Sequence, residues 1–337
     1  FSLAYFGFYR EGCVCSVGAI QNISLGLIDP GFRVPLTVLI FFMAPLVFTL
    51  FFGRGFCAAV CPFGAIQDLV AFKPMRMGPG MNAILGMIPY LYLGLAVLLA
   101  ATASDFIICR YDPFVGIFRM NASFAMFIFA GLLLFSGIFI ARPYCRFLGP
   151  YGVLLNWVSR FSRRHMTITP AACIQCRLCE QSCPYDAIDF PQFRGDPAGK
   201  QRQVRRMLLL VAILPFIIAA GVVAGEMVHQ TLAGANPRFR LARMIQSEEI
   251  VKSRPELPEI TAFKSSGISP ETLLTEAWMI EKKFLTGSRI YGGFIGLAFG
   301  LTLIGLVRTR HHSDYVPNKG RCFSCGRCIN YCPVQKE

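Results

Sequence analysis

Residues 173–184 read CIQCRLCEQSCP, and residues 322–333 repeat the same spacing as CFSCGRCINYCP. Three cysteines in each run follow one another at intervals of three, a fourth comes four residues later, and a proline ends the run. This spacing wraps three thiolates around one [4Fe–4S] cluster and sends the fourth to a second cluster, whereas a zinc site would show two separated Cys-x-x-Cys pairs. The runs therefore predict two [4Fe–4S] clusters, with ligand sets Cys173, Cys176, Cys179 and Cys332 for the first and Cys322, Cys325, Cys328 and Cys183 for the second.

The composition around these runs is that of a polytopic membrane protein. Of the 337 residues, 54% are hydrophobic and 15% are charged, against about 25% charged residues in soluble domains. Together with the apolar residues 1–9, five apolar segments predict an all-α polytopic membrane fold of about six transmembrane helices, in which a helix pair splits a bacterial-ferredoxin-like two-[4Fe–4S] module. The five segments approach the roughly 17–25 residues that a helix needs to cross a bilayer core, and they are 34–52, 82–103, 122–141, 207–226 and 290–307.

Basic residues predict the orientation of these helices. Lys and Arg are more numerous in the loops that carry both cysteine runs than in the opposite loops, which predicts a multi-pass protein of the cell (inner) membrane with a cytoplasmic ferredoxin module. The net charge of +14 is assigned to these membrane-flanking loops, and no nucleic acid is expected as a partner. The predicted divisions are a membrane domain with Cys-x-x-x-Cys-Pro-type repeats at 1–160, a first ferredoxin half at 161–206, a transmembrane helix pair at 207–307 with a helical extracytoplasmic loop at 227–289, and a second ferredoxin half at 308–337.

The other six cysteines follow a weak internal repeat. Residues 13–22 (CVCSVGAIQN), 57–68 (CAAVCPFGAIQD) and 145–156 (CRFLGPYGVLLN) align on one glycine each, which superposes Cys57 on Cys145 and Cys61 on Gly149. A bilayer core of about 30 Å is too wide for one efficient electron hop, so one or two additional membrane metal centres are expected. Buried thiols and, on the opposite face, a Cys13–Cys109 disulfide are the alternatives. The candidate ligands are Cys57, Cys61 and Cys145 on the ferredoxin face, and Cys13, Cys15 and Cys109 on the opposite face.

The predicted extracytoplasmic loop contains few further functional candidates. Glu226 and His229, at the end of the preceding span, are a candidate quinol or proton site, with an interfacial polar pair as the alternative. Ser269 followed by Pro270 predicts a helix start, and an earlier helix is expected over 238–251. The sequence has no Cys-x-x-Cys-His motif and no phosphate-binding glycine motif in a strand–helix setting, so c-type haem, NAD and ATP are not expected.

Two further stretches carry a family resemblance. Residues 53–64 (GRGFCAAVCPFG) and 142–148 (RPYCRFL), followed by a ferredoxin run, resemble the NosR/NapH group of membrane-bound polyferredoxins. The resemblance implies about six spans, two cytoplasmic [4Fe–4S] clusters and Cys-x-x-x-Cys-Pro motifs near the membrane, of which Cys57 and Cys61 match the first. Gly149 stands where the second motif would have a cysteine. NosR-type members carry an extracytoplasmic domain with covalent FMN on Thr, so FMN is expected upstream of Phe1 or on a partner and not on this segment.

These features together predict an electron-transfer subunit and not a stand-alone enzyme. It is expected to carry electrons between cytoplasmic or quinone-side partners and an extracytoplasmic flavoprotein or metalloenzyme. The expected partners are the other subunits of a membrane redox complex, a quinone and the lipid bilayer. Two other hypotheses are a membrane ferredoxin that acts as a reductive maturation factor for a metalloenzyme, and an enzyme with its own quinol site.

Overall fold

The computed structural model describes residues 16–72, 74–75, 77–118, 123–168, 173–189, 191, 197–246, 263, 269–307 and 314–336. Regular structure in these residues is mostly helical, and two short strands pair with each other. The elements are α1 (Ser16–Ile28), α2 (Leu36–Phe52), α3 (Gly55–Ala59), α4 (Pro62–Val70), α5 (Pro79–Leu85), α6 (Ile88–Ala101), α7 (Ile107–Tyr111), α8 (Pro113–Phe118), α9 (Phe124–Phe139), α10 (Pro143–Phe147), α11 (Tyr151–Ser159), α12 (Leu178–Ser182), β1 (Ile188–Asp189), α13 (Pro197–Ala233), α14 (Pro237–Gln246), α15 (Pro270–Val307), β2 (Val316–Pro317) and α16 (Arg327–Asn330).

Three helical segments are long and apolar enough to cross a membrane. They are Gly80–Ala101, Gln201–Ala233 and Pro270–Val307, with 22, 33 and 38 residues, and they contain most or all of the predicted spans 82–103, 207–226 and 290–307. The other two predicted spans are also apolar helices, but α2 has 17 residues and α9 has 16, and the apolar α1 has 13. Residues 1–9 lie outside the described residues. The chain is therefore a membrane protein, and the six-span arrangement stays a prediction.

The two longest helices, α13 and α15, pack as a close antiparallel pair through small residues. A Cβ added at Gly225 would overlap the carbonyl oxygen of Ser288, and one added at Gly221 would overlap that of Gly292. Small residues at intervals of four let helix backbones approach in this way in membranes. The pair therefore depends on having no side chains at its crossing.

The helix starts expected from sequence agree with the structure, but the helices are longer. The amide of Thr272 donates to Ser269 Oγ (3.3 Å), which caps the start of α15 at Pro270. That helix then continues without a break to Val307, so the end of the predicted loop and the last predicted span are one helix. Likewise α13 runs through the predicted boundary between residues 206 and 207. The earlier helix expected over 238–251 is α14, and residues 247–251 lie outside the described residues.

The internal repeat is also a structural repeat. The segment α2–α3–α4 and the segment α9–α10–α11 have the same helix order, and their first helices begin 88 residues apart, at Leu36 and Phe124. Each copy has a long apolar helix, a turn, a short helix with the first cysteine, and an amphipathic helix that starts at or next to a proline. Because Arg54 and Arg142 stand three residues before Cys57 and Cys145, the turn places an arginine at the same point in each copy.

Residues 107–118 pack in a way that the predicted topology did not anticipate. This segment was expected in a loop on the face opposite α4 and α10, yet the ring of Phe114 lies 5.0 Å from that of Tyr144 in α10. The ring centroid of Phe118 lies 5.6 Å from that of Phe63 in α4. The buried carboxylate of Asp112 accepts hydrogen bonds from the amides of Phe114 and Val115 and from the Tyr144 hydroxyl. These bonds satisfy the buried backbone of the segment, which allows it to enter the protein interior.

Candidate metal centres

The two cysteine runs form one module although they are far apart in the chain. β1 and β2 pair antiparallel, with Ile188 opposite Pro317. The amide of Asn318 donates to the carbonyl oxygen of Ala187 (2.6 Å), and α12 packs on α16. The α13–α15 pair, which lies between the runs in sequence, therefore returns the chain to the same side.

The two runs also share one backbone conformation. Gln175 and Ser324 occupy the same place in their runs and have φ of 53° and 54°. Arg177 and Gly326 likewise have φ of 63° and 75°. A non-glycine residue with positive φ is uncommon and often marks a functional constraint. Two left-handed residues per run curl the chain, so that its first three thiols face a common cavity.

Each cavity is lined by four cysteine thiols, three from one run and the fourth from the other. The first has apolar walls that include Ile168 and Tyr315. The second has apolar walls that include Ile188 and Phe323. The structure thus brings together the same two sets of thiols that the spacing predicted: Cys173, Cys176, Cys179 and Cys332 line the first cavity, and Cys183, Cys322, Cys325 and Cys328 line the second.

Hydrogen bonds to sulfur in the second cavity fit an iron–sulfur cluster. Within the described ranges, no group of three or more His, Cys, Asp or Glu side chains is arranged to hold a single metal ion. The amide of Ala187 donates to Cys183 Sγ and that of Ser324 to Cys322 Sγ, both at 3.4 Å. Such hydrogen bonds to sulfur are typical of iron–sulfur sites.

Burial also shows why these thiols need a metal to ionise. Burial raises the pKa of Cys183, and burial with neighbouring thiolates raises the pKa of Cys328 to about 12. The pKa values of Cys179 and Cys322 are raised for the same reasons. Four thiols that line one cavity cannot all lose their protons unless cations lie between them. The two cavities therefore suit a cationic inorganic core.

A third group of thiols lies where the two copies of the repeat meet. Cys57 is in α3, Cys61 precedes α4, and Cys145 is in α10. Burial, followed by the negative charges of Cys145 and Cys57, raises the pKa of the Cys61 thiol. Burial also raises the pKa of Cys145 to about 11, although Arg142 and Arg54 oppose the change. Cys145 packs against the core cluster that contains Cys57 and, like Cys61, against the cluster of Phe63, Phe114 and Tyr144, so packing brings the three thiols into neighbouring parts of the interior.

A glutamine side chain holds Cys145 in this site. Gln67 Nε2 lies 3.2 Å from Cys145 Sγ, and Gln67 Oε1 accepts from the amide of Tyr144 (3.0 Å). Gln67 is fully buried, so its amide orients the sulfur and does not simply contact solvent.

The remaining candidate residues are distributed differently. A Cβ added at Gly18 would lie 2.9 Å from Cys109 Sγ, so the first turn of α1 contacts this thiol. Cys13 and Cys15 lie outside the described residues. Glu226 forms an ion pair with Arg289 of α15, with Oε1 and Nη2 2.8 Å apart. His229 Nε2 lies 3.5 Å from Glu281 Oε1, so both candidate quinol-site residues link α13 to α15.

Four residues beside the cavities were not recognised from the sequence. Arg54, Arg142, Tyr185 and Phe323 lie between the second cavity and the thiols of the repeat. The aligned repeat contained one usable signal, an arginine three residues before the first cysteine of each copy. The contacts of these four side chains join residues far apart in sequence, and no local sequence pattern predicts such contacts.

Comparison with known proteins supports these sites. A family model described as a 4Fe-4S binding domain matches residues 34–77 and 122–169, which are the two copies of the repeat. Two other models with the same description match residues 166–189 and 319–335, which contain the cysteine runs. The chain therefore carries 4Fe-4S binding domains in both its membrane repeat and its ferredoxin module.

Relatives with similar sequences include ferredoxin-type and regulatory proteins of bacteria. Protein NirI of Paracoccus denitrificans is 32% identical over 161 residues, which is 42% of this chain and 22% of NirI. The methylamine utilization ferredoxin-type protein MauN of the same organism is 26% identical over 45% of this chain and 55% of MauN. The regulatory protein NosR of Pseudomonas aeruginosa is 27% identical over 56% of this chain and 28% of NosR. The chain thus spans about half or less of these relatives, and no solved structure matches it.

Proposed function

Because this chain belongs to the NosR/NapH-type membrane-bound polyferredoxins, we propose that it carries electrons between cytoplasmic or quinone-side partners and an extracytoplasmic flavoprotein or metalloenzyme. It acts as a subunit of a membrane redox complex. The observation that carries the proposal is the pair of four-thiol cavities, in a module that rests directly on the cysteine-bearing repeat of the membrane domain.

The chain's own residues hold and insulate two clusters. Cys173, Cys176, Cys179 and Cys332 hold the first, and Cys183, Cys322, Cys325 and Cys328 hold the second. A [4Fe–4S] cluster bound in either cavity supplies reversible one-electron transfer. Apolar residues form part of each cavity wall, and the amides of Ala187 and Ser324 donate to the sulfur atoms of Cys183 and Cys322.

Several contacts fix the module on the membrane domain. Ser159 Oγ in α11 donates to the carbonyl oxygen of Lys319 (2.9 Å). The amide of Arg163 donates to the carbonyl oxygen of Leu50 at the end of α2 (3.0 Å). Arg146 Nη2 lies 3.3 Å from Asp186 Oδ2. A rigid contact of this kind keeps the distance between redox sites constant, which efficient electron transfer requires.

The thiols of the repeat extend the electron path into the membrane domain. Cys57, Cys61 and Cys145 are proposed as ligands of an additional metal centre, because Cys145 packs both against the core cluster that contains Cys57 and against the cluster that Cys61 contacts. Cys109, near the start of α1, is proposed to belong with Cys13 and Cys15 to a second centre nearer the opposite face.

The proposed electron path implies an orientation of the protein in the membrane and a division of the chain into domains. The protein is proposed to lie in the inner membrane with its ferredoxin module in the cytoplasm, where thiols stay reduced. The membrane domain spans 1–160, the ferredoxin halves are 161–206 and 308–337, and the helix pair with its extracytoplasmic loop spans 207–307. FMN is proposed to lie outside this segment. For Glu226 and His229, the ion pairs between α13 and α15 favour a structural role over a quinol site.

Anaerobic metal analysis of the full chain tests the proposal. Two clusters require at least about eight iron atoms per chain, with matching sulfide. A value near four, or zinc in place of iron, would contradict the assignment. In liposomes, the protein should pass electrons from an external one-electron reductant to an acceptor enclosed inside. A protein with full iron content that purifies without a stoichiometric redox partner, and does not support this transfer, would instead favour a reductive maturation factor.

A further inference from the structure

Two buried arginines lie between the ferredoxin module and the membrane repeat. The exposed fraction is 5% for Arg54 and 1% for Arg142. Arg142 forms an ion pair with Asp68, with Nε and Oδ1 2.8 Å apart, whereas Arg54 donates from Nη1 to the carbonyl oxygen of Gly320 (3.2 Å). Among the described residues, Arg54 Nε has no hydrogen-bond partner. Arg142 thus has a carboxylate partner, whereas Arg54 has none among the described residues, and a buried charge without a counter-charge is unfavourable.

On one side, both arginines face the second cavity through aromatic rings. Cζ of Arg54 lies 4.0 Å from the centroid of the Phe323 ring, and Cζ of Arg142 lies 5.3 Å from it. The rings of Phe323 and Tyr185 are 4.6 Å apart. Phe323 follows Cys322 directly, and Tyr185 comes two residues after Cys183. The excess positive charge therefore lies one side chain away from the thiols of this cavity.

On the other side, each arginine reaches across to the opposite copy of the repeat. Arg142 Nη1 donates to the carbonyl oxygen of Cys57 (2.9 Å) and lies 3.3 Å from the place where a Cβ of Gly64 would stand. Arg54 Nη2 lies 3.6 Å from the corresponding position of Gly152. Each guanidinium group therefore packs beside a glycine of the other copy.

The first cavity has no such pair of neighbours in the part of the chain that the structure describes. Each cavity is lined by one arginine of the ferredoxin module, Arg177 for the first and Arg327 for the second. Arg54 and Arg142 lie beside the rings of the second cavity, where Arg142 is paired with Asp68 and Arg54 adds positive charge. The two sites therefore differ in their electrostatic surroundings.

We infer that Arg54 and Arg142 are positioning residues that stabilise an added electron on the cluster held by Cys183, Cys322, Cys325 and Cys328. Nearby positive charge favours the more negative, reduced form of a cluster and raises its reduction potential. This cluster is then the higher-potential, membrane-proximal one of the two. A single electron moves to it from the first cluster, with no bond broken and no proton transferred. The inference rests on the proposed function, because it requires both clusters.

The test is an anaerobic redox titration of the full, iron-loaded chain, followed by electron paramagnetic resonance. In Arg54→Gln, the reduction potential of the second cluster should fall relative to that of the first. The equilibrium constant for one electron distributed between the two clusters should change about tenfold, which corresponds to 59 mV. Arg54→Lys keeps the charge and should remain close to wild type. Arg163→Gln is the matched control, since this exposed arginine lies over Phe51 at 5.8 Å, away from the cysteine-flanking rings. Equal shifts of both clusters, no shift, or the same shift in the lysine variant would overturn the inference.

The reduction potentials of the two clusters in the wild-type protein test the inference even if Arg54→Gln does not fold. Cys176→Ser and Cys325→Ser each mark the signal of one cluster, which assigns the two potentials. The higher potential should belong to the set that contains Cys325, and the opposite order refutes the inference. A low iron content would instead contradict the proposed function, so the two failures are distinguishable.

Discussion

The exchange of the fourth ligand between the two runs gives the most direct test of the candidate sites. Cys332 lies in the second run but lines the first cavity, and Cys183 lies in the first run but lines the second cavity. Two double variants with equal numbers of lost thiols separate this arrangement from one in which each run holds its own cluster. They are Cys173→Ala with Cys332→Ala, and Cys173→Ala with Cys183→Ala.

The expected iron contents follow from the cavity walls. Removing Cys173 and Cys332 takes two ligands from the first cavity and none from the second, so about four of the eight iron atoms of the two ferredoxin clusters should remain, apart from any iron at the thiols of the repeat. Removing Cys173 and Cys183 takes one ligand from each cavity, so both clusters should be lost or depleted. If each run held its own cluster, the two variants would exchange these results.

The assay is iron and sulfide analysis of anaerobically purified protein, with the visible absorbance of the clusters as a second measure. Size-exclusion chromatography in detergent checks that each variant is folded, and the single variant Cys173→Ala is the common reference. The cross-ligated arrangement is refuted if the Cys173/Cys332 variant loses the iron of both ferredoxin clusters while the Cys173/Cys183 variant keeps half of it.

Three further outcomes are expected from the packing and the thiols. Gly225→Ala should lower the free energy of unfolding by about 1–3 kcal/mol, because the added Cβ overlaps the Ser288 carbonyl oxygen. The control Gly305→Ala should not lower it, because the space around Gly305 is open. Thermal unfolding in detergent compares the two variants. Burial raises the pKa of Asp112 to about 6. Its contribution to the free energy of unfolding, on the order of 3 kcal/mol, is therefore present below about pH 4 and lost as the pH rises through 6. Asp112→Asn should abolish this pH dependence of the free energy of unfolding, which unfolding measured against pH would show. Cys61→Ser should remove a spectroscopic centre distinct from the two ferredoxin clusters, and an unchanged spectrum would leave Cys61 as a packing residue.

The cysteine runs show how far local sequence determines a site. Three ligands of each cluster lie within seven residues, so the covalent spacing itself constrains how they surround a cavity. Positive φ at Arg177 and Ser324 adds a backbone detail that the residue types do not reveal, because neither residue is a glycine.

Helix boundaries were less readable than helix positions. The cap at Ser269 is a local signal, and α15 begins where it predicts. The length of α15 is not local, because polar and apolar stretches follow one another in a single helix that packs along α13. Hydropathy marks only the apolar part, which explains why the predicted span began at residue 290.

The chain's residues by themselves determined the apolar helices, the two cysteine runs and the weak internal repeat, because each is a pattern of spacing within a few turns. Tertiary structure alone decided that residues 107–118 enter the interior and that Arg54 and Arg142 meet at Phe323. The physical reason is that burial and charge pairing between distant segments depend on how helices pack, and small differences in side-chain shape set that packing.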